Sequence, residues 1–211
     1  MTLHRPLSDV GPVRLASTTD PAWLPQAIAQ FDQVLIDHAH CEKKAASNAL
    51  SMLQAYPDLL GMPAQMARLA REESAHLARV LDLMEARGLT LTRDPGDPYV
   101  QALQRLVRTS TPERRLDRLL VAAVVEARSC ERLSLLADGI SAEVVKATPG
   151  FDAPLAQFYR ELAQSEDGHQ ALFFRLACDL AGAPIASERL EHLLSEEAGL
   201  LRTLSLRPAI H

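Results

Sequence analysis

Four glutamates stand at positions where a folded chain does not tolerate bare carboxylates. Four stretches, read at alternating steps of three and four, give the spacing of residues that face a helical core. The first runs Ile28, Phe31, Leu35, His38, Glu42, Ala45, Ala49, Met52, and the second Met62, Met66, Leu69, Glu73, His76, Val80, Leu83. The third runs Leu116, Leu119, Ala123, Glu126, Cys130, Leu133, Ala137, and the fourth Leu155, Tyr159, Leu162, Glu166, His169, Phe173, Leu176, Leu180. Each stripe is apolar except near its middle, where it carries a glutamate. Two of them add a histidine three residues later. A buried, unpaired carboxylate costs several kcal/mol, so four aimed at one core require compensation. Two divalent cations bring four positive charges against four negative ones, and two neutral imidazoles add nitrogen donors without further charge. One Glu from each of two helices plus Glu-x-x-His from each of two others is the ligand pattern of two-metal carboxylate bundles. The candidate metal ligands are therefore Glu42, Glu73, His76, Glu126, Glu166 and His169.

Glu-x-x-His alone carries little weight. With 14 Glu and 7 His in 211 residues, chance supplies roughly half a match, so the signal lies in the placement of both pairs on apolar stripes. Glu72 and Glu131 compete for the same roles. Glu72 has no histidine three residues on, and Glu131 shares a mixed face with Asp138. His38, Glu131 and Tyr159 are the candidates for residues just outside the ligand set. His38 stands one turn before Glu42, and Tyr159 two turns before Glu166. Cys130 reads as small apolar packing. Gly168 sits mid-helix at a cost of about 1 kcal/mol relative to alanine, through close approach, local distortion or accident.

Proline and glycine divide the chain into long helices. Residues 1–20 read as an irregular arm, and 21–211 as one helical-bundle domain. A first helix is expected from Pro21 or Pro25 to Tyr56, and a second from Pro63 to Gly88. A short helix from Pro98 is capped by Asp97. Thr111-Pro112-Glu113 signals the start of a third long helix, with a capping hydroxyl, proline at the first helical position and an acid in the first turn. It is expected to end at Gly139. A fourth is expected from Pro154 to Gly182, and a fifth from Ser187 to about Leu206. Two long hairpins separated by a connection from Gly88 to Ser110 predict an all-α, ferritin-like four-helix bundle with one long crossover and an added C-terminal helix.

Composition narrows the function classes. Hydrophobic residues at 47% and charged residues at 23% are ordinary for a globular domain, and no apolar run approaches a membrane span. Three widely spaced cysteines without Cys-x-x-Cys suit a reduced, cytoplasmic setting. A net charge of −5 argues against indiscriminate nucleic-acid binding. The arginines at 105, 108, 114, 115 and 118 read as a solvated face balanced by Glu113 and Asp117, or else as a docking surface for polynucleotide phosphates.

Four segments, Asp37-His-Ala-His-Cys-Glu-Lys-Lys-Ala-Ala46, Glu72-Glu-Ser-Ala-His76, Glu126-Ala-Arg-Ser-Cys-Glu-Arg132 and Ser165-Glu-Asp-Gly-His169, resemble those of the MiaE-type tRNA hydroxylases. The likeness covers nearly the whole chain, including the approximate spacing between segments. It implies two iron ions held by the six candidate ligands and dioxygen as co-substrate. It also implies a tRNA substrate, hydroxylated on the isopentenyl group of 2-methylthio-isopentenyladenosine beside the anticodon. Electrons are then expected from a separate reductase, since no flavin or nicotinamide fingerprint occurs. Spacing alone does not separate iron from manganese. Nor does it separate this activity from a ferritin-like iron-oxidising or storage role, a peroxide-handling role, or a metal-free helical module. The oligomeric state stays open.

Overall fold

The structure is a computed structural model that describes residues 13–59 and 61–211. Helices α1 (Trp23–Ala29), α2 (Phe31–Ala55), α3 (Met62–Ala86), α4 (Pro98–Gln104), α5 (Glu113–Val145), α6 (Ala153–Ala181) and α7 (Ala183–Leu201) account for all its regular structure among the described residues. No described helix is long and apolar enough to cross a membrane. Of the arm expected over residues 1–20, positions 13–20 carry no helix, and the rest lies outside the described residues.

Side-chain pairs fix the topology. Arg87, just past α3, reaches Asp32 at the start of α2 and the Gly150 carbonyl just before α6. At the start of α5, Arg115 reaches Asp58 and Arg118 reaches Ser51, at the other end of the α2–α3 hairpin. The chain between Arg87 and Glu113, with α4 inside it, thus travels the length of the bundle. That is the single long crossover of a ferritin-like bundle. Helices α3 and α6 run antiparallel: Arg79 meets Glu161, Glu72 meets His169 and Gln65 meets Arg175.

Several helix ends differ from the sequence expectation. The first helix is broken at Gln30 (φ −122°, ψ 38°), where the sequence holds neither glycine nor proline. The break lets α1 lie across α5 with Trp23 and Ala27 fully buried. Leu24 is seated so closely on Gly139 that a Cβ there would lie 2.7 Å from its Cδ1. Gly139 is therefore a close-approach position inside α5, not its end. The helix runs on to Val145 and stops at Ala147, which adopts a left-handed φ of 58°. Pro112 occupies the capping position itself, so Thr111 makes no cap; Ser110 instead donates to Glu113. Helix α7 starts at Ala183, because Pro184 falls in the first turn where its missing N–H costs nothing, and it ends at Leu201. Asp97 and Asp152 do cap α4 and α6, accepting from the Val100 and Leu155 amides.

Most of the arginine face is engaged. Arg115 and Arg118 lie over the Tyr56 ring, and Arg108 and Arg189 converge on Asp117, which is fully buried. Burial alone would raise the Asp117 carboxyl, but the Arg108 and Arg189 guanidiniums outweigh it and hold it at about 2. Because the folded value lies below the ordinary one near 3.8, the stabilisation is present above about pH 4 and is lost as pH falls through about 2. Asp117→Asn should therefore lower unfolding stability by about 2 kcal/mol at pH 7. In urea melts the gap between the two proteins should close toward pH 2; a gap that is independent of pH would contradict the pairing.

Apolar packing falls into two main blocks. One gathers Met52, Met66, Ala123 and Phe173, and the other Phe31, Val34, Leu133 and Tyr159. The glutamate layer lies between them, at mid-height of all four long helices.

Candidate metal centre

The four long helices bring Glu42, Glu73, His76, Glu126, Glu166 and His169 together, each with 9% exposure or less. Donor atoms of Glu42, Glu73, His76 and Glu166 lie within 4.8 Å of one another. So do those of Glu73, Glu126, Glu166 and His169. The two groups share Glu73 and Glu166, the glutamates of the two Glu-x-x-His pairs. Helical geometry explains the sharing. Residues three apart lie on one face, so each pair presents a carboxylate and an imidazole to the same space.

His169 Nδ1 approaches Glu73 Oε1 at 3.0 Å and Glu166 Oε2 at 3.4 Å. His76 Nδ1 stands 3.4 Å from Glu73 Oε2 and 3.6 Å from Glu42 Oε2. Yet both Glu73 oxygens and His76 Nδ1 are buried without a hydrogen-bond partner among the described residues, since these approaches are too long or poorly aligned. Buried polar atoms left orphaned beside one another call for a cation among them. Four carboxylates and two imidazoles, in two groups with a common pair of glutamates, fit a centre of two metal ions.

Protons stand in for cations when none is bound. Burial would lower both imidazoles, but Glu42 and Glu73 push His76 up to about 9, and Glu166 and Glu73 push His169 up to about 12. Burial, then the charges of Glu166 and Glu73, drive the Glu126 carboxyl well above its usual range. Glu42 goes the other way: burial opposes it, but His38 and His76 hold its carboxylate down.

The residues around the donors take distinct places. His38 Nε2 lies 2.8 Å from Glu42 Oε1, and its ring stacks on Tyr159 at 5.6 Å. The Tyr159 hydroxyl is buried without a partner among the described residues. Glu131 is turned away from the donors; it pairs with Arg128 and accepts from the Thr19 amide and hydroxyl. Among the described residues it makes no hydrogen bond to any of the six candidate ligands, and its partners are Arg128 and Thr19. Half-exposed Glu72 reaches His169 Nε2 at 3.4 Å, placing it behind that imidazole. Gly168 serves no close approach, since a Cβ there would meet nothing within 4 Å.

A cavity of about 150 Å³ opens onto all four glutamates. Val121, Ala122 and Val125 of α5 form part of its wall, with Ala45 of α2 and Val100 of α4. Ser129, Asp97, Ile210 and His211 also line it. Sequence periodicity singled out neither Ser129 nor the last two of these, because residues at 129 and 210–211 meet only through tertiary packing.

Comparison with known proteins agrees with this architecture. The family model described as tRNA-(MS[2]IO[6]A)-hydroxylase (MiaE) matches residues 9–211. A tRNA 2-(methylsulfanyl)-N(6)-isopentenyladenosine(37) hydroxylase of Pseudomonas putida is 40% identical over 163 residues, which is 77% of this chain and 74% of the relative. A protein of the same name from Salmonella typhimurium is 26% identical over 232 residues, covering 87% and 82%. Among solved structures, a Synechococcus protein with aldehyde deformylating oxygenase activity superposes with a TM-score of 0.82 at 38% identity, over 93% of this chain and 94% of that one. With a family match over nearly its whole length and a relative at this level of identity, the chain belongs to the MiaE family.

Proposed function

We propose that this chain hydroxylates the isopentenyl group of 2-methylthio-isopentenyladenosine at position 37 of tRNA, using two iron ions held by Glu42, Glu73, His76, Glu126, Glu166 and His169. The observation that carries the reading is the apolar-walled cavity that ends on all four glutamates in a member of this family. Such a pocket suits a short hydrocarbon chain, with the charged part of the substrate left at the mouth.

Bound there, two irons would supply dioxygen activation. One oxygen atom would enter a C–H bond and the other leave as water, with two electrons from a separate reductase and two protons from solvent. The remaining work belongs to the protein. Val121, Ala122 and Val125 bind the prenyl chain and exclude water from the reacting carbon. His38, against Glu42, and Glu72, behind His169, fix the orientation of the groups they touch. Three free thiols suit a reduced, cytoplasmic setting for a tRNA-directed enzyme.

The test is direct. The purified chain, loaded with two ferrous ions per molecule and given reductant, oxygen and prenylated tRNA, should add one oxygen atom to the prenyladenosine, as read by nucleoside mass spectrometry. An aldehyde is the control substrate, because the solved Synechococcus relative carries that activity. Unchanged nucleosides under verified diferrous loading would overturn the proposal. Many irons per chain in a large assembly would favour storage instead, and activity restored only by manganese would reassign the metal.

A further inference from the structure

Beyond α7 the chain forms no further helix, and it returns to the bundle to place its last described residues against the cavity. The return is pinned from four directions. Trp23 of α1 donates its indole N–H to the Ala209 carbonyl at 3.0 Å. Asp37 of α2 accepts the Ile210 amide at 2.8 Å. Arg132 of α5 donates to the Ala209 and Ile210 carbonyls at 3.3 and 3.4 Å. His211 Nδ1 lies 3.0 Å from Asp97 Oδ2, at the cap of α4, and its Nε2 lies 2.7 Å from Ser129 Oγ of α5. The His211 ring is also stacked on Tyr99 at 5.6 Å.

These anchors are themselves buried: Trp23 is 0% exposed, and Asp97 and Arg132 are 6%. Ordering each backbone residue costs roughly 1–2 kcal/mol, so a segment without helical hydrogen bonds holds its position only through contacts such as these. Ala209 and Ile210 are 2% and 1% exposed, as buried as the bundle core. The segment is therefore built into the cavity as a wall. Its position relative to the donors follows from α5. Ser129 stands three residues after Glu126, about one helical turn along the same face. The Ser129–His211–Asp97 chain thus bounds the cavity a single turn from a carboxylate of the metal centre, and Ile210 contributes an apolar surface beside it.

We infer that Ile210 and His211 are the specificity-determining residues of this cavity, limiting its occupant to a short branched chain and setting which carbon faces the carboxylates. The inference rests on the substrate class proposed above. Ile210 acts by filling volume. His211 acts by its locked position, because both ring nitrogens are engaged and swinging the ring aside would break its contacts to Asp97 Oδ2 and Ser129 Oγ together.

The experiment compares metal-loaded wild type, Ile210→Ala, His211→Ala and His211→Gln. Binding of anticodon stem-loop RNA carrying an isopentenyl or a ten-carbon geranyl adenosine is measured, so that contacts to the RNA cancel in the ratio. Wild type should favour the five-carbon chain at least ~10-fold, the scale on which a hydrophobic pocket discriminates added methylenes, and Ile210→Ala should bring the two within about threefold. His211→Ala should also lose the preference, while His211→Gln, whose amide can still bridge Asp97 and Ser129, should keep most of it. All four proteins should retain the same metal content. The inference is overturned if wild type binds both RNAs alike, or if Ile210→Ala and His211→Ala keep the full preference. Chain-length discrimination without hydroxylation would support the wall and defeat the proposed reaction, so the two fail separately. With active enzyme, His211→Ala should also place oxygen on more than one prenyl carbon; a single product position would count against its role in register.

Discussion

Glu73→Ala should empty both metal positions, whereas Glu42→Ala should empty only one. Glu73 and Glu166 belong to both donor groups, while Glu42 and His76 belong to one and Glu126 and His169 to the other. A cation held in each group would lose a ligand when a shared carboxylate is removed, and the set would lose one of the four negative charges that would balance two divalent cations. Metal analysis after loading and desalting should give about two ions per chain for wild type, about one for Glu42→Ala or Glu126→Ala, and close to none for Glu73→Ala or Glu166→Ala. Hydroxylation should fall more than ~100-fold in the shared-ligand variants, since even an outer partner of a ligand is worth 10–100-fold. Two metals retained by Glu73→Ala would sink the idea that both ions depend on Glu73. Added metal should raise the melting temperature of wild type but not of Glu73→Ala, which lacks a carboxylate common to both donor groups.

Arg128→Ala should be the most damaging substitution outside the metal centre, costing about 3–5 kcal/mol. Arg128 and Glu197 are both fully buried. The Arg128 guanidinium donates to Glu197 from Nε at 3.0 Å and from Nη2 at 3.1 Å, and it also donates to the Ser17 carbonyl and the Thr19 hydroxyl. Tyr99 adds its hydroxyl to Glu197 at 3.0 Å. The network ties α5 to α7, to α4 and to the irregular segment before α1. Alanine would strand the Glu197 carboxylate in the core without its cation. The double variant Arg128→Met/Glu197→Leu should recover most of the loss, because apolar side chains of similar volume remove both charges together. Thermal unfolding of the single and double variants distinguishes a stranded charge, which the second substitution relieves, from a cavity, which it does not. Because Tyr99 also stacks on His211, the single variant should loosen the cavity wall as well.

Residues that act within one helix were the most legible. Glu42, Glu73, His76, Glu126, Glu166 and His169 stood out because a carboxylate inside a three-four apolar stripe is conspicuous wherever the stripe is buried. The crossover was legible for a similar reason: a connection of that length between two hairpins exceeds what a tight turn needs. Legibility failed where one helix met another. Gly139 looks like a stop by composition but is a seat for Leu24, and nothing near Gln30 announces the break that brings Leu24 there. Ala147 ends α5 in a left-handed conformation that a sequence reader assigns to glycine. Glu131 showed its ion-pair character in its mixed face, but its partners Arg128 and Thr19 did not.

By itself the sequence determined a bundle of long helices and six candidate donors at their mid-height. Helical periodicity is local, and a buried charge contrasts with its immediate neighbours. Only the tertiary structure decided that Glu73 and Glu166 are held in common, that the cavity opens on the carboxylates, and that residues 97, 129 and 211 meet at its wall. Those facts depend on how helices pack against one another and on where a non-helical segment finds buried partners. Neither leaves a periodic trace along the chain.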